Sequence, residues 1–194
     1  MQRQPARVLE PATVRLLLAH VGGDQHALRH QVIILLSFKA GLRACEIAGV
    51  TWPMVLASNQ RVGSHLSLSN SIAKMGSGRR IPVHQDLKDV LRKLHRHQGS
   101  PLTGAVIQSQ RGGGPMSPDG IVNWFGKLYA ELGLEGCSSH SGRRTFITNA
   151  ARVLAKTGGS LRDIQELAGH RALTTTERYI EGDRQAQRRL VALI

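Results

Sequence analysis

Five consecutive apolar residues, Val32-Ile33-Ile34-Leu35-Leu36, lie inside a segment that reads as a helix from His26 to Ala40. A helix with apolar side chains on successive positions has no polar face to give to water, so it is buried among other elements. It is far too short to cross a membrane, and Gly41 breaks it. The segments around it carry helical signals of the ordinary amphipathic kind. Glu10-Pro11-Ala12-Thr13 starts a helix with Val14, Leu17, Leu18 and Val21 at helical spacing, and Gly22-Gly23 ends it. A short helix follows over Arg43 to Ala48, and Gln85 to His97 puts Leu87, Val90, Leu91 and Leu94 on one face. Ser117-Pro118-Asp119 caps a helix reaching to about Leu132, and another covers Ser141 to Ala155. Ser160-Leu161-Arg162-Asp163 has the form of a capping box, with its helix stopping at Gly169. Thr174-Thr175-Thr176 caps a short helix carrying Tyr179, and Asp183 to Leu193 forms a last amphipathic helix.

One stretch breaks the helical pattern. His65-Leu66-Ser67-Leu68-Ser69 alternates with period two, so Val62 to Ile72 and Arg79 to Val83 form a hairpin candidate separated by Gly76-Ser77-Gly78. The glycine-rich Gln108 to Pro115 lacks the Lys-Ser/Thr of a nucleotide-binding loop and reads as a connector. No internal repeat and no linker divides the chain. The expectation is one mainly α (α+β) domain over residues 1–194, a helical bundle with a small antiparallel β-sheet.

Charge narrows the partner. The chain has 26 Lys+Arg against 13 Asp+Glu, a formal net charge of +13, and the basic residues recur from Arg3 to Arg189. Such a spread suits a broad polyanion-binding surface, with DNA or RNA preferred to a membrane. Aromatic residues are only 4%, too few for binding by base stacking, so phosphate contacts carry the affinity. There is no apolar core of a secretory signal, and Cys45 and Cys137 lack metal-ligand spacing. The chain reads as cytoplasmic, with reduced, partly buried cysteines and no membrane contact.

Three patches carry chemistry: Gly41-Leu42-Arg43-Ala44-Cys45-Glu46, His140-Ser141-Gly142-Arg143, and His170 followed by Tyr179. Two planar guanidiniums match the two non-bridging oxygens of a phosphodiester, and a tyrosine can attack phosphorus to form a covalent intermediate. Taken singly, each residue also has an ordinary reading. His140 and Arg143 are a surface pair on one face of a helix start, and Arg43 with Glu46 is either an intrahelical ion pair or a carboxylate orienting a phosphate-binding arginine. His170 is a capping or packing histidine, Tyr179 a core tyrosine, and Lys74 a solvated charge at a hairpin tip.

Taken together and in order, the patches resemble the catalytic domain of the tyrosine recombinases, the phage integrase family. Gly41-Leu42-Arg43-Ala44-Cys45-Glu46-Ile47 matches the family's first arginine box, and Lys74 with Arg79-Arg80-Ile81-Pro82-Val83 resembles its hairpin lysine segment. His140-Ser141-Gly142-Arg143-Arg144-Thr145-Phe146 resembles the His-x-x-Arg box. Leu167-Ala168-Gly169-His170, then Thr175-Thr176 and Tyr179, resembles the terminal segment. Gly142 stands where leucine is usual, and Arg144 where histidine is frequent. The resemblance runs from about Leu9 to the C-terminus and implies a short form without the N-terminal core-binding domain.

The resemblance implies six catalytic residues: Arg43, Lys74, His140, Arg143, His170 and Tyr179. Tyr179 would attack a DNA phosphodiester and form a 3′-phosphotyrosyl link, with His140 accepting the phenolic proton and Lys74 protonating the leaving 5′-oxygen. Arg43 and Arg143 would hold the charge that develops on phosphorus, and His170 would hydrogen-bond a non-bridging oxygen. Arg79, Arg80, Arg144 and Arg171 lie near the motifs as candidate phosphate contacts. No metal and no nucleotide cofactor is implied. The partners implied are double-stranded DNA, further copies of the chain in a tetramer on DNA, and an accessory DNA-binding protein. Two other functions use the same residues: a type IB topoisomerase-like strand nicker, and a DNA-binding regulator that keeps the fold without strand exchange.

Overall fold

Helix α2 (Ala27–Lys39) is buried at every position from Val32 to Phe38, and the main hydrophobic core is built around it. The structure is a computed structural model that describes residues 6–73, 76–110, 112–179 and 191–192. Helix α1 (Pro11–His20), ending in the 3-10 turn Val21–Gly23, lies against α2, as do α3 (Ala44–Gly49), α5 (Gln85–His97) and α7 (Ser141–Thr157). Helix α6 (Pro118–Glu131), capped by the Ser117 hydroxyl on Gly120 N–H, packs on α3. A one-turn helix, α4 (Trp52–Val55), was not anticipated; Trp52 at its head is fully buried and Pro53 supplies its helical φ.

The period-two stretch is a strand. β1 (His65–Leu68) pairs antiparallel with β2 (Arg79–Pro82), Leu66 opposite Ile81 and Leu68 opposite Arg79. Leu66, Leu68 and Ile81 are buried while Ser67, Arg80 and Pro82 are exposed, the alternation a half-buried sheet requires. Both strands are shorter than the runs that signalled them. Among its described residues the glycine-rich segment forms neither helix nor strand, and Gln108 and Pro115 close it with an isolated bridge.

The last third is a second, smaller assembly. α8 (Leu161–Ala168) starts at the Ser160–Asp163 capping box, where Asp163 Oδ2 accepts the Ser160 N–H at 2.6 Å. It stops at Gly169, whose φ of 64° is the left-handed conformation glycine adopts without strain. α9 (Leu173–Glu177) corrects the expected cap. Ala172, in extended conformation, precedes the helix, and the three threonines lie inside it because Thr176 is wholly buried against His170. Tyr179 follows α9 on a turn, its N–H donating to Thr176 O at 3.0 Å. The expected helix from Asp183 falls largely outside the described residues.

Among the described residues two hydrophobic clusters result. The larger runs from Leu9 to Tyr129 and contains α2, whereas Ile147, Ile164 and Ala168 form a satellite on which Phe146, Leu154 and Tyr179 pack. Helix α7 joins them by close approach to α2 at Gly142. A Cβ there would collide with Ser37 Oγ and lie 2.8 Å from Ser37 Cβ and 2.9 Å from Phe38 Cδ2. This explains a glycine where the family's pattern has a larger residue.

Two glycine substitutions should therefore have opposite signs. Gly142→Ala gains about 1 kcal/mol of helix propensity but overpacks the interface by about 1–3 kcal/mol, so net destabilisation is expected. Gly126→Ala, in α6 where a Cβ meets nothing within 4 Å, is expected to stabilise by about 0.5–1 kcal/mol. Urea unfolding of both variants checks this, and a stabilised Gly142→Ala would contradict the packing account.

Candidate active site

Arg43 is placed where the chain turns out of α2. Leu42 N–H donates to Leu36 O at 3.1 Å, and Arg43 takes the extended backbone of the residue preceding α3. One turn into α3, Glu46 accepts the Arg43 backbone N–H on Oε2 at 2.9 Å and the Arg43 Nη1 on Oε1 at 3.2 Å. The intrahelical ion pair expected of Arg43 and Glu46 is therefore present. Glu46 has no exposed surface, while the Arg43 side chain keeps 20% exposure.

A second arginine completes the shell of that carboxylate. Arg79 donates Nη1 to Glu46 Oε1 at 2.8 Å and Nη2 to Oε2 at 3.1 Å, and its Nε donates to Leu167 O at 2.8 Å. All three guanidinium nitrogens are engaged inside the protein. Arg79 therefore serves as a strut between α3, β2 and the end of α8, unlike its neighbour Arg80, which is exposed. Burial by itself would raise the Glu46 carboxyl, but the Arg79 hydrogen bonds and charge, with those of Arg43, outweigh it and hold the pKa below its ordinary value.

Arg143, in the first turn of α7, is 3% exposed. Its Nη1 donates to Gly41 O at 2.7 Å and its Nη2 to Ala168 O at 2.6 Å, bridging the two clusters. Burial and the charges of Arg43 and Arg79 push its pKa down to about 10, so it stays cationic at neutral pH. The carbonyls of Leu167 and Ala168, left without partners by the end of α8, are thereby capped by two cations, where the helix dipole favours positive charge.

Beyond Gly169, the His170 N–H donates to Gln165 O at 3.0 Å, and Gln165 Nε2 donates to His170 O at 2.9 Å. The ring is 5.7 Å from that of Tyr179 and within 20° of parallel to it, and its Nδ1 lies 3.0 Å from Thr176 Oγ1. Burial, with Arg143, Arg43 and Arg79 nearby, pushes His170 down to about 4 and keeps the imidazole neutral at pH 7. The Tyr179 ring is half-buried, with Arg144 Cζ 5.9 Å from its centre. His170, Arg79, Arg80 and Arg171 line a cleft of about 680 Å³ between β2 and α8.

Of the six residues implied by the sequence, Arg43, Arg143, His170 and Tyr179 come together. His140 is exposed at the head of α7, one turn before Arg143. Lys74 lies outside the described residues. Sequence reasoning named Glu46, took Arg79 for a candidate phosphate contact where the structure ties all three of its nitrogens to Glu46 and Leu167, gave Thr176 no role beyond its motif, and did not name Gln165. The signal for Arg79 was available: period two puts it on the same face as buried Ile81, and Arg80 on the other. The three arginines exceed Glu46 by two positive charges, an excess suited to a phosphodiester. Among the described residues no three His, Cys, Asp or Glu side chains gather to hold a metal, and no helix is long and apolar enough to cross a membrane.

Comparison with known proteins gives the chain's relatives. The sequence model of the phage integrase family matches residues 7–186. The tyrosine recombinase XerC of Pseudomonas entomophila is 29% identical over 191 residues, covering 94% of this chain and 58% of that protein. The XerC of Bradyrhizobium diazoefficiens is 31% identical over 154 residues, covering 78% of this chain and 45% of that one. The chain thus spans about half the length of these relatives. Among solved structures, the Tn1549 transposon integrase in complex with a circular intermediate DNA superposes with a TM-score of 0.75 at 21% identity, covering 100% of this chain and 67% of the other. The XerA recombinase superposes at 0.73 and 18% identity, covering 100% and 65%. At these identities the likeness shows the fold.

The buried charges make acid stability a test. An unfolded chain's His170 takes up a proton below about pH 6.5, whereas the folded one resists until about 4. The unfolded state then binds more protons across that window, so stability falls as pH drops through it. His170→Gln should flatten the fall between those pH values in urea titrations. Arg79→Ala, which strips one cation from a buried carboxylate, is expected to cost about 3 kcal/mol at pH 7. A loss within about 0.5 kcal/mol, as at ordinary surface sites, would remove Arg79 from the core of this network.

Proposed function

The chain belongs to the phage integrase family, and on that premise we propose that residues 1–194 form the catalytic domain of a site-specific DNA recombinase or integrase. The observation that carries the reading is the stacking of Tyr179 on His170 beside three arginines whose positive charge exceeds that of Glu46. A nucleophile and oxyanion-stabilising cations are the two parts that phosphodiester cleavage by a side chain requires.

In this reading the Tyr179 Oη attacks phosphorus in a DNA strand. The phenolic proton passes to His140 as the O–P bond forms. The bond from phosphorus to the 5′-oxygen breaks, its electron pair leaves with that oxygen, and Lys74 supplies the proton that makes the 5′-hydroxyl. Arg43 and Arg143 bind the non-bridging oxygens as charge accumulates, and His170 donates a hydrogen bond to one of them. The 3′-phosphotyrosyl ester conserves the bond, so a 5′-hydroxyl from another strand can reverse the steps without a cofactor or a metal. Exchange between two duplexes needs several protomers, and the partners proposed are duplex DNA, further copies of the chain in a tetramer and an accessory DNA-binding protein. The site of action proposed is the cytoplasm. The net charge of +13 supports phosphate-dominated, salt-sensitive binding.

Covalent capture tests this reading. The chain and its Tyr179→Phe variant are expressed in cells, denatured, and any attached DNA is sequenced. DNA is expected on the tyrosine form alone, with a shared sequence at the cut. Arg43→Ala is expected to lower the adduct's formation rate by about 10²–10³-fold, the cost of one oxyanion-stabilising group. An adduct that survives Tyr179→Phe would place the nucleophile elsewhere, and no adduct on the intact chain would overturn strand breakage.

A further inference from the structure

His170 is held on three sides. Its backbone is clasped by Gln165, one ring face lies on Tyr179, and its Nδ1 meets a threonine hydroxyl with no exposed surface. A neutral imidazole carries one N–H, and the group facing Nδ1 decides which nitrogen holds it. A threonine inside a helix commonly turns its hydroxyl back to the carbonyl four residues earlier. Here that carbonyl belongs to Ala172; it accepts the Thr175 N–H at 3.2 Å and keeps a second lone pair, but among the described residues no bond from the Thr176 hydroxyl reaches it. The hydroxyl oxygen lies instead 3.0 Å from Nδ1.

Two arrangements fit that distance. If the ring donated from Nδ1, the buried hydroxyl hydrogen would need another acceptor, and Nε2 would present a lone pair to an incoming anion. If the hydroxyl donates, its hydrogen is satisfied and the ring hydrogen sits on Nε2. The charged neighbours do not reverse this choice: Arg43, Arg79 and Arg143 offer only donors, and both Glu46 oxygens already accept from arginine.

We propose that Thr176 is a positioning residue whose hydroxyl donates to His170 Nδ1 and fixes the Nε2–H tautomer, making His170 a neutral hydrogen-bond donor to a phosphate oxygen. The tautomer assignment stands on the geometry alone; its use on a DNA phosphate rests on the strand-exchange reading above. Threonine suits the task, because its branched Cβ restricts the side chain to few rotamers.

The test is a long-range ¹H–¹⁵N correlation spectrum of the ¹⁵N-labelled full chain at pH 7, with His170 assigned from the His170→Gln variant. The wild-type ring is expected as Nε2–H, Thr176→Ser as the same tautomer, and Thr176→Val as a mixture or as Nδ1–H. A wild-type Nδ1–H ring, or an unchanged Nε2–H ring in Thr176→Val, overturns the proposal; the first needs no variant to fold. Inorganic phosphate then serves as the oxyanion probe. Its apparent affinity, read from the Nε2 resonance, is expected to weaken about tenfold in Thr176→Val and to return in Thr176→Ser, the scale of one hydrogen bond. Equal phosphate affinity across the three proteins would overturn the positioning role. If the tautomer and phosphate results hold while the intact chain captures no DNA, the Thr176 assignment stands and strand exchange falls.

Discussion

One buried carboxylate organises the site. Glu46 has no contact with water, and an ion so placed costs several kcal/mol unless its lone pairs are met. They are met by the Arg43 backbone and side chain and by both ends of the Arg79 fork. Because Arg79 also holds Leu167 O, the requirement to neutralise one carboxylate fixes α3, the hairpin and the end of α8 against one another. Shape complementarity of apolar side chains alone would leave these polar segments free to slide; a bidentate pair has one register.

The same network sets the electrostatics that follow. Three guanidiniums against one carboxylate leave a positive excess in a poorly hydrated space, and burial together with that excess keeps the neighbouring imidazole of His170 neutral. A neutral ring can donate one directed hydrogen bond, whereas a fourth cation would add charge without direction. The arginines also divide labour. Arg79 spends all three nitrogens internally, and Arg143 spends one hydrogen on each of two carbonyls and retains donors for an anion. Arg43, tied to Glu46 by one terminal nitrogen and partly exposed, is the more accessible cation.

Much of this was legible in the residues, for identifiable reasons. Helix α5 spans the residues its Leu87–Leu94 face indicated, because an amphipathic stripe of that length is itself a local signal. α2 was legible as buried because five consecutive apolar residues leave water no face, and the Ser160 box and Gly169 stop are local chemistry that needs no tertiary context. The triple threonine misled because cap propensity is local while the use of Thr176 is not: its hydroxyl answers a histidine six residues back. The four-residue α4 carries too few positions for a period to register. Arg143 was recognised by motif, but its contacts to Gly41 and Ala168 bring together segments 102 and 25 residues away, which no spacing rule supplies.

The placement of Tyr179 completes the argument. It packs on the satellite cluster of α7 and α8, while Arg43 is anchored through α3 to the main core. Tyr179 and Arg43, the nucleophile and a clamp of the proposed reaction, are therefore mounted on different hydrophobic bodies. What aligns them is polar: Arg143 reaching a carbonyl on each side, and Arg79 joining the carboxylate of one to the helix end of the other. These joints belong to the same guanidiniums whose charge attracts a phosphate. An anion bound between them strengthens the alignment it needs, because it supplies the negative charge that one carboxylate leaves unmatched. On the reading proposed above, attack geometry is thereby coupled to occupancy of the site, the tyrosine being best aligned when a phosphodiester is there to receive it.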